Sequence, residues 1–174
     1  ISPENATGVV KQGYDMFMKN VGMIPKPMEM LSVSPDVFEL QLKRIQYLSN
    51  HPKLSFPLLA HIRYLVAHSL NYKFCMAFNK RILEKQGLEP EDFSRMESDP
   101  SQSILEDNES AMLAFVIRAV KDPASISAEG IVLLRELGWE DRDMVDAMTQ
   151  GVSMIDHSIM MQVFQMDQSC AAPE

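Results

Sequence analysis

The chain has 174 residues, 46% of them hydrophobic and 23% charged, a composition that fits a folded domain and excludes disorder throughout. With 16 Lys and Arg against 24 Asp and Glu the net charge is -8, and an acidic protein repels phosphate backbones, so nucleic acid is not an expected partner. No apolar run reaches the roughly 18–20 residues of a membrane span, residues 1–5 do not read as a signal peptide, and two cysteines, Cys75 and Cys170, are too few for a disulfide framework, so a cytoplasmic protein with no membrane contact is expected.

Helical periodicity fills nearly the whole chain. Val9, Val10, Tyr14, Phe17 and Met18 predict a helix over 5–20, an N-terminal arm reaching to residue 22. Pro25 and Pro27 break it, and a short helical turn over 28–33 follows. Ser34-Pro35 pairs an N-cap with a proline in the first turn and starts a helix to about residue 50, with Val37, Leu40, Ile45 and Leu48 as its apolar positions. Ser55-Phe56-Pro57 opens the next, apolar nearly all round up to Leu70 and therefore buried on most sides. The pattern continues past a kink near Asn71 through Phe74, Cys75, Phe78, Ile82 and Leu83 to Gly87.

A short acidic helix or turn over 89–96 precedes a polar stretch, 98–108, that reads as a loop. Helices over 109–120 and 127–138 follow. The last, over 140–166, carries a stripe of Val145, Met148, Val152, Ile155, Ile159 and Val163, and residues 167–174 read as a frayed tail. No strand-like alternation occurs. The fold class is all-α, a single-domain helical bundle spanning 1–174.

One region stands out chemically: Arg63-Tyr64-Leu65-Val66-Ala67-His68-Ser69-Leu70-Asn71-Tyr72-Lys73-Phe74-Cys75-Met76-Ala77-Phe78-Asn79. A buried helix running into an aromatic-Cys pair, and then on as helix, resembles the alkylhydroperoxidase D-like branch of the carboxymuconolactone decarboxylase superfamily. Ile24-Pro25, Ser34-Pro35-Asp36-Val37-Phe38, Leu54-Ser55, Ala114-Phe115, Asp122-Pro123 and Leu134-Arg135-Glu136-Leu137-Gly138-Trp139 extend the resemblance in order over about 23–164. It implies a homo-oligomer and a peroxidase-related, antioxidant activity on a small hydroperoxide or oxidised metabolite, with no cofactor.

The resemblance also implies a degenerate site. The family's redox members carry Cys-x-x-Cys, a His four residues on and an acidic residue twelve before. Here those positions hold Tyr72, Cys75, Asn79 and Ala60. Cys75 matches the peroxide-attacking cysteine, but nothing at position 72 can close a local disulfide. Cys170 could resolve it only by folding back.

Three readings follow for Cys75: an inert small hydrophobe, a one-cysteine peroxide-reactive or redox-sensing thiol, or part of a non-catalytic binding or scaffold site on the same fold. A carboxymuconolactone decarboxylase-type enzyme is a further alternative, although its usual His is replaced by Asn79. His68 is the candidate base for the thiol and, if the helix continues, pairs with Tyr72 one turn on. Tyr72, Asn79 and His61 are candidate ligand-binding groups expected to share a cavity with Cys75.

His61, His68 and Cys75 lie seven apart, so successive members along one helix would be about 10.5 Å apart, too far for one zinc. No metal site is expected, with His157 only a remote additional ligand. Asp156-His157-Ser158 is no triad, because adjacent residues point to different sides of a helix. Lys80, Arg81 and Lys85 read as a solvated basic face. The apolar 56–83 region and the 14 methionines point to that region as the surface between subunits.

Overall fold

The computed structural model describes residues 1–166. Among these there are nine α-helices and no strand: α1 (Gly8–Val21), α2 (Lys26–Leu31), α3 (Pro35–Ser49), α4 (Phe56–Ser69), α5 (Lys73–Lys85), α6 (Pro90–Ser98), α7 (Asp107–Lys121), α8 (Ala128–Glu136) and α9 (Asp141–Val163). Among the described residues no helix is long and apolar enough to cross a membrane.

The bundle is built around α4. Ser55 caps it, its hydroxyl accepting the Leu58 N–H at 3.1 Å, and Pro57 sits in the first turn, where no intrahelical N–H is needed. Nine of its 14 residues are buried, on every side, because α5, α7 and α9 pack around it. Most of α4 therefore finds its partners inside one chain, so Leu58, Ile62 and Val66, fully enclosed, offer no subunit surface, while Phe56 stays exposed and Met76, Phe78 and Ile82 are partly open.

Close approach of α9 to α7 depends on Gly151. A Cβ there would stand 2.7 Å from Val116 Cγ1 on α7, with Ile62 of α4 just beyond at 3.8 Å. Glycine costs α9 about 1 kcal/mol of helix propensity, and its reward is the contact of three helices. Gly13 plays the same part between α1 and α3, where an added Cβ would meet Phe38 at 2.5 Å.

The buried faces of α3 and α9 are only partly the expected ones: Leu48 is buried and Ile45, Met148 and Ile155 pack against the core, but the rest of each stripe is not inward. On α3, Phe38, Leu42 and Leu48 are buried, whereas Val37 and Leu40 are exposed. On α9 the core is met by Met144, Ala147, Gly151, Met154, Ser158 and Met161, and the Val145–Val152–Ile159 stripe faces outward. Small residues decide this orientation, because only they let α9 approach α4 and α7 closely.

The 98–108 stretch is not loose either. Asp99 accepts from the backbone N–H of Ser101 at 3.0 Å, Ser103 and Ser110 share a hydroxyl bond at 2.8 Å, and the Trp139 indole donates to the Asn108 carbonyl at 3.0 Å.

A polar clamp fixes the α3–α4 connection to α9. The His51 side chain is fully buried, and its Nδ1 accepts the backbone N–H groups of Leu54 at 2.9 Å and Lys53 at 3.2 Å. Those bonds put the ring proton on Nε2, which faces Asp146 Oδ2 at 3.1 Å, and the Tyr47 hydroxyl donates to the same oxygen at 2.6 Å. His51→Ala strands two N–H groups and takes one donor from Asp146, and is expected to cost about 2–4 kcal/mol. Gly151→Ala is expected to cost about 1–3 kcal/mol despite its better helix propensity. Both are checked by urea denaturation, and stability at or above wild type in either variant contradicts the packing described.

Candidate functional site

The helix does not run through from His68 to Cys75. Asn71 adopts a left-handed conformation at φ 52°. Its N–H bonds the His68 carbonyl at 3.1 Å, and the Tyr72 N–H reaches back to Ala67 at 2.8 Å. That pair of bonds is a Schellman motif, which closes α4 and turns the chain. Tyr72 is then the N-cap residue of α5, and Cys75 is the third residue of its first turn. The sulfur thus sits by the positive end of a helix dipole.

Across from it stands Arg63 of α4. The Arg63 Nε donates to Asn79 Oδ1 at 2.8 Å, and the Asn79 amide nitrogen donates to the Cys75 carbonyl at 2.8 Å. The guanidinium also lies 5.8 Å from the centre of the Phe56 ring. Among the described residues it forms no ion pair with a carboxylate. Burial pulls the Arg63 guanidinium down to about 10, and the negative charge of a Cys75 thiolate acts to pull it back up. That coupling is mutual: a guanidinium still charged at neutral pH favours the thiolate. Cys75 itself is 6% exposed.

Sequence reasoning missed Arg63. The signal was present, since Arg63 is the one Asp, Glu, Lys or Arg between Phe56 and Leu70. A lone cation in a helix buried on most sides needs a reason to be there.

Of the candidate residues, Cys75 and Asn79 are joined directly, and Tyr72 is buried at the head of the same helix. His68 is elsewhere. With the helix broken at Asn71, the one-turn spacing to Tyr72 is lost, and the exposed His68 ring stacks on Tyr64 at 6.2 Å with its Nε2 3.8 Å from Glu97. The Tyr64 hydroxyl donates to that carboxylate at 2.5 Å, and burial, then the Glu97 contact, raises its pKa well above the usual phenol value. The role of His68 as base for the thiol loses its geometric support. Cys170 lies outside the described residues.

His61 is fully buried, with Nδ1 2.8 Å from the Pro57 carbonyl and, among the described residues, no hydrogen-bond partner for Nε2. His157 on α9 is buried too, its Nε2 likewise without a partner. A groove on α9, beside Arg44 of α3 and Ile131 of α8, contains none of the five candidates. Among the described residues no group of His, Cys, Asp and Glu could hold a metal ion.

The fold so built is that of the alkylhydroperoxidase D core. A solved alkylhydroperoxidase AhpD core, an uncharacterized peroxidase-related protein from Ralstonia eutropha JMP134, superposes with a TM-score of 0.78 at 16% identity, over 94% of this chain and 86% of that one. An uncharacterized peroxidase-related protein from Silicibacter sp. TM1040 gives 0.76 at 14% identity, over 94% and 87%. No protein-family model and no curated protein matches the sequence.

The buried histidines set an acid limit on stability. Burial first, and then the Arg44 cation, push His157 down to about 4, while Asp156 opposes them; burial also lowers His61. The unfolded chain takes up these protons from about pH 6.5 downward and the folded chain does not. Stability contributed by keeping His157 neutral is therefore lost as pH falls from about 6.5 toward 4, by on the order of 2–3 kcal/mol. His157→Gln is expected to flatten that decline in urea midpoints measured across the window; an unchanged slope contradicts it.

Proposed function

We propose that the chain is an alkylhydroperoxidase D-like protein in which Cys75 is a one-cysteine, peroxide-reactive thiol activated by Arg63. The observation that carries this reading is the Arg63–Asn79–Cys75 linkage at the first turn of α5. It supplies a cation and a helix N-terminus for the thiolate, where the family resemblance leads one to expect a histidine and an acidic residue.

In the step proposed, the thiolate attacks the terminal oxygen of a hydroperoxide. The S–O bond forms as the O–O bond breaks, and the thiolate electron pair reduces the peroxide. The alkoxide leaves and takes up a proton to become the alcohol, and the sulfur is left as a sulfenic acid. The Arg63 guanidinium stabilises the thiolate and then the departing alkoxide.

Tyr72 offers no thiol, so the cycle closes on an external one. A first small thiol condenses with the sulfenic acid and releases water. A second frees Cys75 and leaves as the mixed-thiol disulfide. A cysteine residue only 6% exposed favours small hydroperoxides.

The test uses a Cys170→Ser protein treated with hydrogen peroxide or a small alkyl hydroperoxide, trapped with a sulfenic-acid-specific dione and read by mass spectrometry. Cys75 is expected to be labelled, and Arg63→Met is expected to slow labelling by about tenfold with circular dichroism unchanged. Absence of labelling in the folded protein overturns the reading in favour of a non-catalytic binding or scaffold protein. Labelling indifferent to Arg63→Met removes the arginine from it.

A further inference from the structure

The guanidinium of Arg63 is used at one nitrogen. Its Nε donates to Asn79, and neither terminal nitrogen donates to any group among the described residues. The residue is part-buried rather than sealed, and the Phe56 ring beside it is 53% exposed. Donors in a fixed fork are thus left for a molecule that arrives from solvent.

The charge is unmatched as well. No carboxylate pairs with Arg63 among the described residues, and the Cys75 thiolate is the one anion there whose charge acts on it. Oxidation by a peroxide removes that anion, because a sulfenic acid is neutral. The cation then lacks a counter-ion at the moment when the reducing thiol must arrive.

We propose that the thiol that reduces the Cys75 sulfenic acid carries a carboxylate, and that Arg63 receives this carboxylate through its terminal N–H groups. The inference rests on reading Cys75 as a peroxide-reactive thiol, and adds the chemical class of the reductant. A carboxylate matches the guanidinium fork with two parallel hydrogen bonds. The hydroperoxide is the poorer carrier of that group, since it meets Cys75 as a thiolate and would bring a second anion to one cation. The net charge of -8 gives an anionic thiol no general attraction to this protein, so a preference for one has to come from a local cation.

With the carboxylate on Arg63, the incoming thiolate attacks the sulfenic sulfur. The S–S bond forms as the S–O bond breaks, and hydroxide leaves and takes up the proton that the thiol gave, becoming water. The Cys75 sulfur is reduced and the incoming sulfur is oxidised.

The test starts from Cys170→Ser protein oxidised with hydrogen peroxide and freed of excess peroxide. It is then mixed with 3-mercaptopropionate or with its methyl ester, and the mixed disulfide at Cys75 is timed by mass spectrometry. The two thiols differ in intrinsic reactivity, so the quantity read is the acid-to-ester rate ratio. Arg63→Met, oxidised to the same extent, is expected to lower that ratio about tenfold, and Arg63→Lys to keep part of it. Lys73, exposed in the first turn of α5, is the competing cation, and Lys73→Met is expected to leave the ratio in place. If Arg63→Met does not fold, propionate added to the Arg63 protein is expected to slow the acid thiol and not the ester. A ratio indifferent to Arg63→Met or to propionate, or one lost in Lys73→Met instead, overturns this inference and leaves the peroxide-reactive thiol standing. Failure of Cys75 to form a sulfenic acid overturns both.

Discussion

The turn at Asn71 sets the geometry around Cys75. A left-handed residue there closes α4 and sends α5 back alongside it. Were the helix continuous, Cys75 would lie twelve residues along from Arg63, about 18 Å up the same rod. With the reversal, Arg63, Asn79 and the first turn of α5 meet. An asparagine tolerates that conformation because its short polar side chain lessens the usual steric penalty. Two backbone bonds thus do what the sequence motif alone cannot, bringing a cation on one helix, through Asn79, to the first turn of the next.

Around that turn the core separates hydrophobic packing from polar fixation. α4 supplies the packing, with apolar residues on every side and glycine where α9 must come close. Polar fixation lies at the rim: the His51 clamp on α9, the Tyr64–Glu97–His68 group between α4 and α6, and the Trp139 bond to Asn108 in the first turn of α7. With the bonds of Asp99 and Ser103, the Trp139 contact gives a stretch as polar as 98–108 a defined path.

Much of this was legible in the residues. Ser34-Pro35, Ser55, Gly138 and the prolines after α1 mark helix ends by backbone rules that tertiary structure rarely overrides, so element positions and the all-α class follow from them. Helix orientation was only partly legible for α3 and α9. Hydropathy favours valine and isoleucine as the inward stripe, but close packing selects Ala147, Gly151 and Ser158, which transfer energies rank low. A helix apolar on one side and small on the other is ambiguous in sequence and unambiguous only against its neighbours. At the site, the position of Cys75 could be read from the resemblance. The Arg63 contact could not, because it joins residues on two helices through a turn whose geometry no residue pattern announces.

The central place of α4 has a consequence for synthesis. The helix leaves the ribosome well before the two that cover its far side, α7 and α9, which begin some 50 and 85 residues after it starts. Throughout that interval the most apolar segment of the chain can be sheltered only by α5 and by whatever else is at hand. The last helix to be made is also the one whose glycine and alanine face seals the core. A nascent chain halted before α9 would present α4 to its surroundings as an adhesive surface, so the burden of avoiding aggregation falls on the interval of elongation rather than on the finished protein.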